Sequence, residues 1–306
     1  MFALPIIVLL LIAIFTTWSK SVLEGYYAKR IPDPSRYFWS FGLIQSAVCG
    51  VMIAVILTFS GGIGTFSTRS ILLGIGLGVL NVVGLTTGLA ANECGPFSYT
   101  IVLRSMSTLI SALSGFLFAE GYPSALQYVG VVLMVVCLLL APEKKENEKK
   151  ATFRWLILCG ISAAASGFTG ICQKIHQHET SPVRSEMGAL LLSAFAVSVI
   201  FYGIMTVVNI GKRKGETKNP AIKSRFGLVS VMAVLCGGVF AFCHTVNLNL
   251  AGRLPAIIMF PVVNLCPMIV TMVTGIFLFR ERLSRRRWIG LGVGVASIVL
   301  LSGVLG

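Results

Sequence analysis

Apolar residues follow one another along this chain in blocks of roughly 20, the length at which a helix crosses a bilayer, and short polar segments separate the blocks. The blocks do not alternate polar and apolar residues as the strands of a membrane barrel do. Lipid cannot satisfy backbone polar groups, so the α-helix is the consistent structure. The pattern predicts ten transmembrane helices, at residues 2–19, 37–59, 70–91, 95–119, 124–141, 155–174, 187–210, 226–250, 254–279 and 287–304.

Two of the blocks end in almost the same residues. One ends in Phe-Leu-Phe-Ala-Glu at Glu120 and the other in Phe-Leu-Phe-Arg-Glu at Glu281, 161 residues later. This self-similarity indicates a duplication, and because each half has an odd number of helices, the second half must enter the membrane inverted. Inverted repeats are typical of carriers whose halves rock about a shared site. We expect a first five-helix repeat, a charged linker and a second five-helix repeat, at residues 1–141, 142–153 and 154–306.

Composition also places the chain in a membrane. Hydrophobic residues make up 56% of the 306 residues and charged residues 12%, with a mean hydropathy of +0.88, whereas about 25% of a soluble domain is charged. The first block lacks the basic segment and the small-residue cleavage site of a signal peptide, so we interpret it as a retained helix.

Small residues inside the blocks indicate helix packing. Gly74 and Gly78, and likewise Gly290 and Gly294, have the spacing that forms a flat face for close approach of a second helix. The eight cysteines include no Cys-x-x-Cys pair, and thiols in apolar helices behave as small hydrophobic side chains. We therefore expect neither a disulfide nor a metal site, and no cofactor.

The positive charges indicate orientation and not a nucleic-acid partner. The net charge is +14; 20 of the 25 Lys and Arg residues, including Lys20, fall in odd-numbered loops, four, including Lys174, fall on the other side, and Arg104 lies inside a predicted helix. Loops rich in Lys and Arg face the cytoplasm. The imbalance predicts a multi-pass protein of the plasma membrane with both termini outside, whose basic residues contact anionic lipid headgroups.

The end of the second half resembles a known family. Asn247 to Pro255, Pro267 and Phe277 to Ser284, followed by Trp288, are similar to the recurring end of each half in the drug/metabolite transporter superfamily, and within it the EamA-type transporters. The resemblance implies a ten-helix carrier with a central cavity lined by helices 1, 3, 4, 6, 8 and 9. The first half departs from the pattern, because Arg104 to Met106 stand where the second half has Pro267, so helix 4 lacks the proline kink.

Two candidate substrate contacts lie in helices 4 and 9. Arg104 is the one full charge well inside a predicted span, where burial costs at least about 2.5–3.5 kcal/mol, and its planar fork suits a carboxylate or phosphate. It favours an anionic or zwitterionic substrate, unless it forms a structural ion pair or snorkels to the interface. Asn264 lies between Pro261 and Pro267, which bend a helix and free its carbonyls; the alternative for Asn264 is an interhelical hydrogen bond.

Helices 8 and 3 supply further polar candidates. His244 and Asn247 are three residues apart and share one face of helix 8. An ordinary histidine titrates near neutral pH and can carry a proton, so His244 is a candidate both for substrate binding and for coupling, with hydrogen-bonded packing as the alternative. Asn81, in the middle of helix 3, is a candidate substrate contact or an amide that pairs between helices.

The first helix of each half ends in polar residues. Trp18, Lys20 and Glu24 end helix 1, and Lys174 and His176 end helix 6, its counterpart in the second half. Interfacial anchoring explains all of them. The alternative is a role in the cavity, with Trp18 contacting substrate and Glu24 coupling transport to a proton or another cation.

These features favour a secondary transporter that moves a small organic metabolite or drug-like solute by alternating access. A membrane-embedded enzyme needs converging acids, histidines or a nucleophile with its base, and no such catalytic set is present in the sequence. A receptor or a channel-like scaffold stays open as the alternative. The expected partners are a small-molecule substrate and the lipid bilayer, with proton or cation coupling open, no nucleic acid, and no oligomeric state specified by the sequence.

Overall fold

A computed structural model describes residues 5–31, 34–94, 100, 103–115, 124–140, 152–178, 180–212, 220–279 and 284–301. Over these residues the chain is helical and contains no strand. Ten helices of the described chain are named α1 to α10 in order. Their bounds are Ile6–Arg30, Pro34–Phe59, Thr68–Cys94, Ser107–Leu113, Ala125–Leu140, Phe153–Gln177, Met187–Lys212, Pro220–Ala251, Ala256–Phe279 and Arg285–Leu301.

Most of these helices are suited to a bilayer, which confirms the prediction of an all-helical membrane protein. Six helical segments of the described residues are long and apolar enough to cross a membrane: Ile6–Glu24, Arg36–Phe59, Thr68–Cys94, Phe153–Gln177, Met187–Asn209 and Phe226–Ala251. Three shorter apolar segments accompany them, at Ala125–Cys137, Ala256–Val270 and Trp288–Leu301. The inverted relation of the two halves stays a prediction.

The chain divides into two compact units, and each unit draws on both halves of the sequence. The first unit contains Met1–Val82 and Ser181–Leu248, and the second contains Val83–Thr180 and Asn249–Gly306. The predicted repeats therefore differ from the packing units. Of the predicted linker, 142–153, all but the last two residues lie outside the described part of the chain.

In the first unit, α1 and α8 run antiparallel along one another. The Thr17 hydroxyl lies 3.5 Å from the Cys243 sulfur, Lys20 lies over the ring of Phe240, and Tyr27 packs further down in a buried cluster with residues of α8. The contacts thus move to lower residue numbers on α8 as α1 advances. The α8 members of that cluster are Val229, Met232, Ala233 and Cys236.

The glycine pair of α3 forms the predicted close contact, and its partner is α7. A Cβ on Gly74 would lie 2.6 Å from the Leu190 carbonyl oxygen, and one on Gly78 would lie 2.5 Å from the Ala194 carbonyl oxygen. The two backbones are therefore in direct contact, which only glycine permits here. Gly294 allows a close contact of a different kind in the second unit, because a Cβ there would lie 2.8 Å from the Cys137 sulfur, a side-chain atom of α5.

Serine hydroxyls join the helices of the second unit. Ser111 on α4 donates to the Gly167 carbonyl of α6 at 2.9 Å, and Ser297 on α10 donates to the Gly130 carbonyl of α5 at 2.7 Å. Each acceptor is a glycine, whose missing side chain lets the hydroxyl reach the backbone. In a bilayer, such small polar residues replace the hydrophobic driving force that lipid does not supply.

The chain before α4 is interrupted even though it contains no proline. Residues 103–105 are helical, Met106 forms a turn, and α4 begins at Ser107. The N–H of Met106 donates to the Leu103 carbonyl, and the N–H of Leu109 donates to the Met106 carbonyl. These three-residue hydrogen bonds are of the 3₁₀ type, which often marks a hinge. The sequence suggested a helix without a proline kink here. The structure nevertheless interrupts the helix at Met106.

A carboxylate clasp holds the N-terminal ends of α3 and α7 together. Glu186, just before α7, accepts hydrogen bonds from the hydroxyls of Ser67 at 2.5 Å, Ser70 at 2.6 Å and Thr65 at 3.1 Å, and from the Ser67 N–H at 3.1 Å. The hydroxyls of Ser67 and Ser70 are the main reason that the pKa of Glu186 is lowered to about 2. The clasp joins segments that are more than 100 residues apart in the sequence.

We expect Glu186→Gln to lower the melting temperature at pH 7 and to flatten its dependence on acid pH. The pKa of glutamate in an unfolded chain is about 4.3. Because the folded pKa is lower, the clasp contributes its full stability above that pH and loses it as the pH falls toward 2. The melting temperature of the wild type should therefore fall more steeply between pH 5 and pH 3 than that of the variant. Parallel curves would show that the clasp does not contribute.

Candidate functional site

Polar side chains on one face of α1 meet α8 inside the first unit. Thr17, Lys20 and Glu24 are spaced three and four residues apart, so they line one stripe of the helix. Sequence analysis placed Lys20 and Glu24 at the end of helix 1, but α1 continues to Arg30. Both residues thus belong to the helix and not to the loop that follows it.

Lys20 and Glu24 form a loose ion pair. The Lys20 ammonium lies 3.7 Å from Oε1 of Glu24, and the side chains are 24% and 16% exposed. The ammonium also lies 3.9 Å from the centroid of the Phe240 ring, a cation–π contact that gains strength where water is excluded. Oε1 of Glu24 is buried and accepts no hydrogen bond from the described residues. The pair therefore leaves hydrogen-bonding capacity unused.

His244 lies among aromatic rings next to this pair. Its ring is 4.3 Å from that of Phe240 and 5.3 Å from that of Phe195, both at nearly right angles. The side chain is 5% exposed. The edge-to-face geometry fixes the orientation of the imidazole ring. Phe240 thus touches both Lys20 and His244, which joins two of the predicted polar positions through an aromatic residue that the sequence did not single out.

Asn247 continues the face of α8 beyond His244. Its amide nitrogen lies 3.5 Å from the Cys243 sulfur, and the same sulfur lies 3.5 Å from the Thr17 hydroxyl. The Asn247 carbonyl oxygen is buried and has no hydrogen-bond donor among the described residues. An unpaired amide oxygen in a membrane protein is costly, and it provides an acceptor for a solute.

Trp18 and Asn81 are further buried donors of the first unit. Nε1 of Trp18 and Nδ2 of Asn81 have no hydrogen-bond acceptor within the described chain. The Trp18 ring lies 5.6 Å from that of Phe15, its neighbour on α1. No contact among the described residues joins Trp18 or Asn81 to Lys20, Glu24 or His244, so their role in substrate binding stays a prediction.

Arg104, in the second unit, packs on a glycine. A Cβ on Gly88 of α3 would lie 2.6 Å from Cζ of Arg104, so the guanidinium covers the backbone of α3 at that point. Its Nε is buried without a hydrogen-bond acceptor in the described chain, and no described carboxylate lies within 4 Å of it. The structural ion pair considered from the sequence is therefore not seen there. Asn264 is half-buried on α9, and no described hydrogen bond joins it to Arg104.

The C-terminal end of α6 is buried, which contradicts the expected interfacial anchoring of Lys174 and His176. Lys174 is 3% exposed and His176 is fully buried, so interfacial anchoring is wrong for both. The Lys174 ammonium donates to the Leu254 carbonyl at 2.7 Å, in the turn between α8 and α9. Nδ1 of His176 lies 2.9 Å from the Gln177 side-chain nitrogen. These residues form a buried polar end to the helix.

The imbalance of positive charge between the two sides of the membrane changes little after these corrections. Lys20 was counted as a cytoplasmic-loop charge and Lys174 as a charge of the opposite loops, but Lys20 lies well inside α1, which continues to Arg30, and Lys174 is buried near the end of α6. Removing one charge from each side leaves the imbalance nearly as large as before. The placement of both termini outside stays a prediction.

Comparisons with known proteins agree with this architecture. Residues 153–303 match the model of the EamA-like transporter family. A crystal structure of a protein superposes with a TM-score of 0.69 over 96% of this chain and 94% of that chain, at 11% sequence identity, and this likeness concerns the fold alone. No curated protein matches the chain.

The family match covers the segment in which the sequence resemblance was strongest, so the resemblance is confirmed. Together with the apolar helices, it makes the protein a multi-pass membrane transporter. The chain belongs to the EamA-like transporter family of the drug/metabolite transporter superfamily.

Proposed function

We propose that the protein is a secondary transporter that carries a small organic solute across the plasma membrane by alternating access. Ten transmembrane helices, arranged as two inverted five-helix repeats with both termini outside, carry out this movement. The face of α1 and α8 that holds Lys20, Glu24, His244 and Asn247 binds the solute. The observation that carries the proposal is the loose Lys20–Glu24 ion pair, whose Glu24 oxygen has no hydrogen-bond donor among the described residues.

Charged side chains are costly within a membrane, which supports a functional role for the pair. A lysine or an aspartate at the centre of a spanning helix costs about 2.5–3.5 kcal/mol on insertion scales, and such residues are usually paired or line a wet cavity. Lys20 and Glu24 fall near the end of the first candidate span, Ile6–Glu24, but α1 continues to Arg30 and Oε1 of Glu24 is buried, so part of this cost applies to them. Their long separation does not satisfy either group fully, so packing alone gives no reason to keep both charges there.

Transport is tested with purified protein in liposomes. A thermal-shift screen of amino acids, sugars, organic anions and quaternary amines selects a solute, because a ligand that binds the folded state raises the melting temperature. Liposomes loaded with that solute should then show saturable uptake and counterflow of labelled solute. Uptake that does not saturate would indicate a channel, and chemical change of the solute would indicate an enzyme; either result contradicts the proposal.

The inverted arrangement is tested by cysteine accessibility. In a background without the eight native cysteines, Arg154→Cys and Arg286→Cys each introduce one thiol at the start of a helix, α6 and α10. Alternation of ten spans places both thiols on the cytoplasmic side. A membrane-impermeant maleimide should therefore label both from that side only. Labelling from opposite sides would refute ten alternating spans.

Arg104→Ala is expected to lower the transport rate on the order of tenfold, equivalent to about 1.4 kcal/mol, without lowering the yield of folded protein. The reason is that the Arg104 Nε is buried without an acceptor, and the guanidinium rests on Gly88. Arg69→Ala, which removes an exposed charge near the start of α3, is the matched control. Unchanged transport kinetics in Arg104→Ala would remove Arg104 from the site.

A further inference from the structure

We infer that the solute bound at the α1–α8 face is a monocarboxylate held by Lys20, and that its binding is accompanied by uptake of one proton on Glu24. The inference deepens the proposed function and rests on it for the transport step. The binding step stands on the first unit alone, whose helices α1, α2, α7 and α8 supply the groups involved.

Of the two charges, Lys20 is the more accessible. The Lys20 side chain is more exposed than that of Glu24, and Oε1 of Glu24, the oxygen nearest the ammonium, is buried. The ammonium has three N–H donors but no hydrogen-bond acceptor within 3.5 Å among the described residues. An anionic oxygen fits this group, whereas a cation is disfavoured because the Glu24 oxygen nearest the ammonium is buried and lies beside a positive charge.

A second lysine, Lys174, provides a comparison because its ammonium has a described hydrogen-bond acceptor. Lys174, near the end of the first helix of the second half, is almost completely buried and donates to the Leu254 carbonyl at 2.7 Å. Lys20 has only the 3.7 Å contact with Glu24 and the face of Phe240. The Lys20 ammonium is therefore the more available of the two as a hydrogen-bond donor.

Charge balance sets the number of negative charges on the solute. The Lys20–Glu24 pair is neutral, so an anion bound to Lys20 leaves one uncompensated negative charge in a helix that spans the membrane, which is costly. A proton taken from solvent by the Glu24 carboxylate restores neutrality, with no bond broken in the solute. One lysine and one proton balance a single negative charge, which favours a monocarboxylate over a phosphate dianion.

Other titratable groups also face this pair. They are Cys49 on α2, Tyr202 on α7, and Cys236, Cys243 and His244 on α8. Thiols and phenols are ordinarily neutral between pH 5.5 and 7.5, so they do not supply the proton site. His244 is the alternative acceptor, but it is buried between Phe195 and Phe240, and it does not pair with the Lys20 ammonium in the way Glu24 does.

The experiment measures binding to the purified full-length protein. Acetate, lactate and benzoate are compared with acetamide, lactamide and benzamide by thermal shift and by titration calorimetry at pH 5.5, 6.5 and 7.5. We expect a carboxylate, and not its amide, to stabilise the wild type, with a dissociation constant that falls up to about tenfold for each unit of pH lowered, as for uptake of one proton.

Substitutions test carboxylate binding by Lys20 and proton uptake by Glu24 separately. Lys20→Met should abolish the carboxylate-dependent shift, and Lys20→Met combined with Glu24→Gln, which leaves no uncompensated charge, serves if the single variant does not fold. Glu24→Gln should bind the carboxylate with no dependence on pH. His244→Gln changes the binding face and is expected to weaken binding, but the change of its affinity per unit of pH should equal that of the wild type. Arg69→Gln, which removes an exposed charge of the same unit, should behave as the wild type.

Several results would overturn the inference. They are equal stabilisation by the amides, no binding by any carboxylate of the panel, carboxylate binding that survives loss of Lys20, and a pH dependence that follows His244. Counterflow of a neutral solute with no carboxylate binding would refute the inference and leave the proposed function intact. Carboxylate binding without any counterflow in liposomes would refute the transporter and leave the site intact.

Discussion

Replacement of Gly78 by leucine is expected to prevent α3 and α7 from packing and to reduce the folded protein to a small fraction of the wild-type yield. A Cβ at this position would lie 2.5 Å from the Ala194 carbonyl oxygen, 2.9 Å from Cβ of Val197 and 3.1 Å from Cα of Ala194. Overpacking against side chains costs about 1–3 kcal/mol. Here two of the three atoms belong to the backbone, which cannot rotate away, so the cost lies at the upper end of that range or above it.

Gly76 provides the matched control two residues earlier in the same helix. A Cβ there would have no heavy atom within 4 Å, so Gly76→Leu adds the same side chain without a clash. The yield of monodisperse protein by size-exclusion chromatography in detergent and the melting temperature measure the difference, with Gly78→Ala as the intermediate step. Equal stability of Gly76→Leu and Gly78→Leu would mean that the α3–α7 contact does not hold the first unit together.

The Gly74–Gly78 pair shows that the sequence predicts a close helix contact but not the helix that makes it. The four-residue spacing identified a close helix contact correctly, because small residues on one face have few other uses in a spanning helix. The partner, α7, was not predictable, since hydropathy gives the face of a helix but not what covers it. Glu186 illustrates the same limit, because its serine partners are more than 100 residues away and leave no local signal.

The candidate site was predictable to a similar degree. Glu24, His244 and Asn247 were candidates because polar residues are rare in apolar blocks, whereas Lys20 was counted among the loop charges and explained by interfacial anchoring. Phe240 did not stand out, because phenylalanine faces lipid as readily as it faces another helix, and only the structure shows it under the Lys20 ammonium.

Lys174 shows how position along the sequence misleads when burial decides the role. A lysine near the end of an apolar block reads as an interfacial anchor. The fold instead places a turn of the chain over it, and the side chain ends up 3% exposed. The residues around Lys174 give no sign of its partner, Leu254, which lies 80 residues away in the sequence. The sequence alone therefore favoured interfacial anchoring, which is wrong.

Lys174→Met is expected to destabilise the folded protein by about 1–3 kcal/mol, because it removes a hydrogen bond with a charged donor, and to leave the affinity for solute unchanged. Methionine is close to lysine in length and flexibility, so it fills the space, but it cannot donate to the Leu254 carbonyl, which lies in a turn outside the helices. The variant also no longer pays to bury an ammonium, which offsets part of this loss. The net effect is still destabilising, because the lost 2.7 Å hydrogen bond has a charged donor and such bonds are stronger than neutral ones.

The melting temperature and the concentration for half-maximal uptake in liposomes separate the two roles of the two lysines. Lys174→Met should lower the melting temperature and leave the half-maximal concentration as in the wild type. Loss of Lys20 should instead weaken solute binding and raise the half-maximal concentration. Arg154→Met, which removes an exposed cation at the other end of α6, should stay within about 0.5 kcal/mol of the wild type, as surface substitutions usually do. A Lys174→Met protein as stable as Arg154→Met would show that the Leu254 contact adds nothing to the fold. A raised half-maximal concentration at normal stability would instead make Lys174 a solute-binding residue.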